Sequence, residues 1–319
     1  MIKEKDPPRT NIVAVFGPTA VGKSGVAVAL AKTLGGEIIS ADSMQVYRGL
    51  PILTDQPTGE MLASVPHHLV AAIDPGEEYS AAVFARMSAT LIKEIAARDH
   101  LPLIVGGTGL YMRALLGGFS FAARGGRSTR QKWEDYVREV GAEAAYLELE
   151  IIDPGSVDIT DRENPRRLAR ALETAEVSAS GDGESMATET DRLWSAESPY
   201  KVVSFGLMAE RDVLYRQIDA RVGRMLEEGA IEEVRRVRQD PVSTTAAQAI
   251  GFREICDYLD EHVTLDEAVA IIRQKSRRYA KRQLTWMRKM PDIVRIDVAG
   301  RAPNDVAAAI IDYIHDTSA

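Results

Sequence analysis

The sequence is poor in cysteine, in long apolar runs and in positive charge, and each shortage removes a class of answer. A single cysteine, Cys256, in 319 residues leaves no intramolecular disulfide and no zinc site of the multi-cysteine kind, which fits a reducing cytoplasm. No apolar run approaches the roughly 20 residues needed to cross a bilayer. The N-terminus, MIKEKDPPRT, is charged and contains proline, and Gly17 and Pro18 break the next apolar stretch. That stretch is too short for a signal peptide. A cytoplasmic protein without a membrane segment is expected. Lys and Arg number 39 against 47 Asp and Glu, a formal net charge of −8. As a whole-chain average this weighs against nucleic acid as a partner, although the distribution of charge counts for more. The remaining composition, 45% hydrophobic and 27% charged, is that of an ordinary globular chain with room for one large core or two smaller domains.

Apolar patterning divides the chain into alternating strands and helices. Residues 11–16 (NIVAVF), 37–41 (EIISA), 101–105 (LPLIV), 201–207 (KVVSFGL) and 293–296 read as buried strands. Helices are expected over 24–34, stopping at Gly35-Gly36, and over 79–98, 128–150, 165–177 and 304–314, with more between 208 and 288. Strand-helix alternation predicts βαβ units, hence a parallel sheet with helices on both faces and ligands at the carboxyl ends of its strands. Residues 123–196 read as a helical insertion into an α/β core made of 11–122 and 197–319. The low-complexity stretch SASGDGESMATETD (178–191) is expected to be mobile. No internal repeat is present.

Between the first strand and the first helix lies GPTAVGKS: Gly17, Pro18, Thr19, Ala20, Val21, Gly22, Lys23 and Ser24. This fits the phosphate-loop pattern in its required context. The glycines let backbone N–H groups turn onto phosphate oxygens, and the helix N-terminus adds partial positive charge. Lys23 would neutralise the terminal phosphates and the Ser24 hydroxyl would ligate Mg²⁺. Asp42, beyond the second strand, either caps a turn or serves as a proton acceptor or metal-shell ligand. Thr108, after Gly106-Gly107, is a helix cap or a contact at the same edge. His67-His68 is read as structural or as a loop contact, since adjacent histidines seldom face one ion. Asp153 and Asp161 are read as caps.

One segment reverses the overall charge. Residues 271–290 (IIRQKSRRYAKRQLTWMRKM) carry Arg273, Lys275, Arg277, Arg278, Lys281, Arg282, Arg288 and Lys289 with no acid among them. Like charges at i,i+4 weaken an isolated helix unless an anion lies nearby. The segment is either a solvated face, with Tyr279, Leu284 and Trp286 turned inward, or a track for a phosphate backbone.

GPTAVGKS, ISADSMQVYRG (39–49), VPHHLV (65–70), LIVGGTGLYMRALL (103–116), NPRRLARALE (164–173), AQAIGFRE (247–254) and RRYAKRQLTWMR (277–288) occur in this order. Together they resemble the bacterial tRNA dimethylallyltransferase (tRNA isopentenylpyrophosphate transferase) family from about residue 11 to 288. The resemblance implies a P-loop NTPase-like sheet flanked by helices, with an all-helical insertion. It also implies transfer of a dimethylallyl group from dimethylallyl diphosphate to N6 of adenosine 37 in tRNA, releasing diphosphate, by a monomer using Mg²⁺. Carried onto this chain, residues 17–24 and Arg221 hold the diphosphate, Asp42 is the general base and Thr108 bonds the target adenine. Asp42, Ser43, Met44, Gln45, Arg130, Arg166, Arg167, Arg170, Gln248, Gly251, Arg253, Arg277, Arg278, Lys281 and Arg282 fall on the tRNA side.

Two segments depart from the family pattern. Residues 50–57 read LPILTDQP where the family has M-D-I-G-T-A-K-P, so that Leu53 replaces a glycine and Gln56 a lysine. After residue 177, Ser178 opens an acidic tract where the family often has S-G-K-P. The alternatives are a P-loop kinase using ATP, an adenylate (AMP) isopentenyltransferase, and a tRNA-binding protein without activity. A kinase has no use for GGTGLY or QAIGFRE, and the AMP enzymes lack the basic tail.

Overall fold

The computed structural model describes residues 10–117, 127–157, 160–179, 198–290 and 292–318. They form two compact units, Met1–Leu116 with Ser198–Ala319, and Gly117–Glu197. The first unit is built on six strands: β1 (Asn11–Phe16), β2 (Gly36–Ser40), β3 (His67–His68), β4 (Leu101–Gly106), β5 (Lys201–Met208) and β6 (Ile293–Asp297). Their order is β3-β2-β4-β1-β5-β6 and every pairing is parallel. In β1, Ile12 to Phe16 are all buried, as expected of a parallel strand covered on both faces. The long strands fall within one residue of their expected limits. β3 was not legible: two histidines carry no strand pattern and become one only by pairing with Ile38 and Ile39.

Helix α1 (Lys23–Leu34) ends at Gly35, whose left-handed conformation (φ 62°) lets its N–H reach the Ala31 carbonyl. A Cβ on Gly36 would lie 2.0 Å from a Leu103 methyl, so glycine is what lets β2 close on β4. Helix α2 (Ala81–Ala96) is capped by Ser80, whose hydroxyl accepts from Val83 N–H. Helix α3 (Gly109–Leu116) follows β4. At the far end of β2, Glu37 is 3% exposed. It accepts from Arg98 (2.9–3.1 Å), His68 Nε2 (2.6 Å) and His100 Nδ1 (2.7 Å). Burial alone would raise its pKa, but these donors hold the carboxyl at about 2. His68 thus belongs to a structural network, and His67 donates to the Val65 carbonyl.

In the second unit, α4 (Arg127–Ile152) packs on α5 (Pro165–Ala179) around Trp133, Val137, Leu149, Leu168 and Leu172, all buried. The sequence pattern predicts one continuous helix over 128–150. The structure breaks it at Gly141 (φ 84°, ψ 170°), a conformation costly for any other residue. The Trp133 indole donates to Glu176, tying the two helices. Asp161 caps its turn by accepting from Glu163 N–H, whereas the Asp153 carboxylate accepts from the Ser156 hydroxyl, a bond between side chains. Residues 180–191 of the low-complexity stretch lie outside the described residues.

The first unit resumes with α6 (Arg211–Glu227), α7 (Ala230–Val237), α8 (Phe252–Leu259), α9 (Leu265–Lys289) and α10 (Pro303–Ser318). Helix α9 opens with a capping box in which Thr264 and Glu267 satisfy each other's backbone N–H groups. Among the described residues, no helix is long and apolar enough to cross a membrane.

Candidate active site

The loop from β1 to α1 packs too tightly for ordinary side chains. A Cβ on Gly17 would meet the Leu207 carbonyl at 2.9 Å, and Gly22 turns into the helix with φ 89°. Lys23 begins α1 and its Nζ donates to the Pro18 carbonyl at 2.8 Å. Burial lowers its pKa to about 8; Asp42 works against that shift and Arg221 adds to it. The guanidinium of Arg221, from α6, donates to the Thr19 hydroxyl, and its Nε lies 3.4 Å from Asp55. Two cations therefore flank the loop from different helices. Ser24 lines the same cleft.

Asp42 follows β2. Its Oδ1 accepts from Met44 N–H (2.8 Å) and Gln45 N–H (3.3 Å), so the turn-capping role is realised. Among the described residues its other oxygen takes no hydrogen bond, and the side chain lines the cleft. Thr108, beyond β4, accepts from Ser43 N–H at 3.2 Å and stands 3.5 Å from the Tyr279 hydroxyl. Burial, reinforced by the charge of Asp42, pushes the Tyr279 phenol up to about 12, so it stays protonated. Tyr279, turned inward in only one of the two readings of the basic run, lines the cleft.

One residue missed in the sequence joins these parts. Gln283, on α9 and 3% exposed, accepts from Thr19 N–H at 2.8 Å and donates to the Gly107 carbonyl at 2.9 Å. Its amide clamps the phosphate loop to the turn that carries Thr108. The glycines of GGTG follow from that closeness. A Cβ would lie 2.2 Å from Ala41 O at Gly106, 2.1 Å from the Gln283 amide at Gly107 and 2.5 Å from the Trp286 ring at Gly109. Only a motif containing a Gln, seen beside a packed helix, could have signalled this.

The cleft has a volume of about 480 Å³. Lys23, Asp42, Asp55 and Arg221 line it together with the apolar Leu53, Met225, Ile250 and Ile272. Gln45 donates to the Asp55 carbonyl (2.6 Å) and accepts from Ser40 (3.1 Å). Gln56 spans the carbonyls of Gln45 (2.9 Å) and Tyr47 (2.8 Å), so this departure from the family pattern is a backbone staple here.

The remaining expected positions are scattered. Gln248 and Arg253 are exposed, whereas Gly251, φ 104°, is a buried helix cap. On α9 the anions that the basic run lacks come from other helices: Asp219 holds Arg277, and Glu254 holds Lys275. Arg278, Lys281 and Arg282 are exposed. In the second unit Arg166 and Arg167 are exposed, Arg130 pairs with Glu134 (2.9 Å) and Arg170 with Glu173 (2.9 Å).

A glycine-rich loop at the carboxyl edge of a parallel sheet, flanked by two cations, defines a P-loop-like α/β protein. Comparison with known proteins narrows the class. The profile of the family described as IPP transferase matches residues 45–290, and that described as isopentenyl transferase matches 10–72. The tRNA dimethylallyltransferase of Halalkalibacterium halodurans is 42% identical over 91% of this chain and 92% of its own. That of Geobacter metallireducens is 38% identical over 98% and 100%. The crystal structure of a tRNA isopentenylpyrophosphate transferase from Bacillus halodurans superposes with a TM-score of 0.72 at 40% identity, covering 97% of this chain and 96% of that one. A eukaryotic dimethylallyltransferase acting on tRNA gives 0.77 at 26% identity, over 96% and 80%. The chain belongs to the IPP transferase family, among the tRNA dimethylallyltransferases.

Proposed function

We propose that the protein transfers a dimethylallyl group from dimethylallyl diphosphate to N6 of adenosine 37 in tRNA. The observation that carries this is the gathering of Lys23, Arg221 and the phosphate loop with Asp42 and Tyr279 around one cleft that also has apolar lining. Diphosphate suits the cationic groups and a small isoprenoid the apolar ones.

In the reaction the N6 lone pair forms a bond to the allylic carbon as the carbon–oxygen bond to diphosphate breaks, and N6 loses a proton. An exocyclic adenine amine is a weak nucleophile, so stabilising the leaving group dominates. Lys23, Arg221 and the loop N–H groups meet the charge that develops on diphosphate. The uncommitted oxygen of Asp42 accepts the N6 proton. Its other oxygen, held by two N–H groups, fixes the orientation. Thr108 and the protonated Tyr279 offer hydrogen bonds to the flipped adenine, which leaves an anticodon loop at less cost than a duplex.

The cleft fits a magnesium ion. The Ser24 hydroxyl has no hydrogen bond among the described residues and shares the cleft with the carboxylates of Asp42 and Asp55. When bound, Mg²⁺ neutralises diphosphate charge. Arg278, Lys281 and Arg282 in the first unit, and Arg130, Arg166, Arg167 and Arg170 in the second, are the groups for tRNA phosphates. Gln248 and Arg253, with Ser43 to Gln45, complete the tRNA side, from which the buried Gly251 is withdrawn. The protein acts as a cytoplasmic monomer.

Labelled dimethylallyl diphosphate, incubated with AMP or with an anticodon stem-loop containing adenosine 37, tests the proposal. Label is expected in the stem-loop only. Label in AMP would favour the adenylate enzyme, and protection against heat by ATP exceeding that by diphosphate would favour a kinase.

A further inference from the structure

Asp55 places a carboxylate beside the phosphate loop, on backbone that is fixed at several points. It ends the single helical turn Pro51–Thr54 in the left-handed conformation, φ 56°, which Asp adopts more readily than most residues. Its N–H donates to the Ile52 carbonyl at 3.3 Å, and its own carbonyl accepts from Gln45 at 2.6 Å. Glu233 of α7 anchors the turn, accepting from Ile52 N–H at 2.8 Å and from Leu53 N–H at 2.9 Å. In the pattern M-D-I-G-T-A-K-P the place of Asp55 is an alanine. The lysine that follows is Gln56 here, and its amide is spent on two backbone carbonyls. The carboxylate therefore belongs to the departure in this segment, and it finds its cation elsewhere.

That cation is Arg221. Its guanidinium donates to the Thr19 hydroxyl of the phosphate loop, and its Nε stands 3.4 Å from the Asp55 carboxylate. The Arg221 side chain is 23% exposed and that of Asp55 60%, so the carboxylate can turn into water at little desolvation cost. The charges lining the cleft are Lys23, Arg221 and Arg224 against Asp42 and Asp55, three cations to two anions. Asp55 thus halves the net positive charge that the other four would present. Burial does most to lower the Lys23 pKa; Asp42 and Asp55 oppose that shift while Arg221 adds to it, so Asp55 is felt at both cations that flank the loop. A diphosphate needs the same guanidinium and is repelled by the same carboxylate.

We propose that Asp55 is a resident competitor for Arg221: it holds the guanidinium in the empty site, gives it up when diphosphate binds, and takes it back when diphosphate leaves. The proposal rests on the donor site described above. Its consequence is a weaker hold on diphosphate, felt by the donor on entry and by the released product after transfer. An exposed ion pair contributes modestly, but the ligand it competes with carries several charges. Removing the carboxylate should therefore tighten diphosphate binding by about three- to tenfold.

Calorimetry with inorganic diphosphate tests this in wild type, Asp55→Asn, Arg221→Gln and the double variant, run in EDTA, or in Mg²⁺ where EDTA abolishes binding. Asparagine removes the charge and tolerates the left-handed turn. Asp55→Asn is expected to bind diphosphate about three- to tenfold more tightly than wild type. That gain should shrink as salt rises from about 0.05 to about 0.5 M, which a purely structural effect would not do. In the Arg221→Gln background the same substitution should gain no more than about twofold; if that background binds too weakly to measure, the salt dependence decides. Unchanged or weaker binding by Asp55→Asn, or a gain insensitive to salt, overturns the proposal and leaves the donor-site reading standing. So does an equal gain with and without Arg221, the mark of general repulsion. Absence of diphosphate binding in wild type and variants under both conditions overturns the two together.

Discussion

Replacing Gln283 with methionine should loosen the phosphate loop and the Gly106-Gly107-Thr108 turn at once. The side chain is 3% exposed and makes two bonds, from Thr19 N–H at 2.8 Å and to Gly107 O at 2.9 Å. Methionine matches its length and volume, so no large cavity opens. What is lost is both partners of groups enclosed by protein. An orphaned buried donor or acceptor costs about 1–3 kcal/mol. The Gly107 carbonyl is the more deeply enclosed, and Thr19 N–H, beside the cleft, recovers part of its loss from water. About 2–4 kcal/mol in total is expected, a fall in Tm of roughly 5–15 °C for a unit of this size. Thermal melting followed by circular dichroism reads it directly. Gln283→Glu sharpens the test. One carboxylate oxygen can still accept from Thr19, but the other faces the Gly107 carbonyl, which raises the introduced acid's folded pKa above its unfolded value near about 4.3. Destabilisation is then full at high pH and shrinks as pH falls through the folded pKa. The gap in Tm from wild type should therefore narrow from pH 8 to pH 5. Melting of Gln283→Met within about 2 °C of wild type, or a Gln283→Glu gap that widens toward acid, would refute the clamp.

Three other outcomes are expected. Glu37 has a folded pKa of about 2 against 4.5 for a free carboxyl. Its stabilisation is therefore full above pH 4.5 and lost as pH falls toward 2. Allowing for solvent around Arg98, it amounts to about 2–3 kcal/mol, so Glu37→Gln should melt lower at pH 7 and show a flatter acid limb. An acid limb as steep as wild type would exclude Glu37 as its source. Lys23 titrates near 8, so diphosphate binding measured by calorimetry should weaken from pH 7.5 to 9 as the ammonium loses its proton, and constant affinity would remove Lys23 from the phosphate site. Asp42→Asn keeps an oxygen for the Met44 and Gln45 N–H groups but lacks the base. Turnover should fall about 10²- to 10⁴-fold with stem-loop affinity nearly unchanged, and a parallel loss of binding would make Asp42 chiefly a tRNA contact.

Much of the core was legible from local pattern. Apolar runs and the glycines beside them marked the long strands. A parallel sheet collects its strand ends along one edge, so residues 17–24, Asp42 and Thr108 could be placed together before any coordinates. The dual character of Asp42 was also visible, and the structure realises the cap with one oxygen while leaving the other uncommitted. Tyr279 and Gln283 were hidden inside a run whose charges drew attention. Their direction depends on how α9 rotates against the sheet, which periodicity leaves ambiguous when Arg, Tyr and Gln share the buried side. The two-residue β3, the break at Gly141 and the Glu37 network were equally hidden, each depending on partners remote in sequence.

By itself, then, the sequence determined the parallel α/β architecture, the phosphate loop and the family to which the chain belongs, because periodicity, glycine placement and short motifs are properties of neighbouring residues. Only the tertiary structure decided that α9 clamps the loop through Gln283, that Arg221 meets Thr19 across 202 residues, and that Leu53 packs against Gly251. Those contacts join segments distant in the chain, and their geometry is set by packing, which admits one arrangement of side chains where the pattern alone admits several.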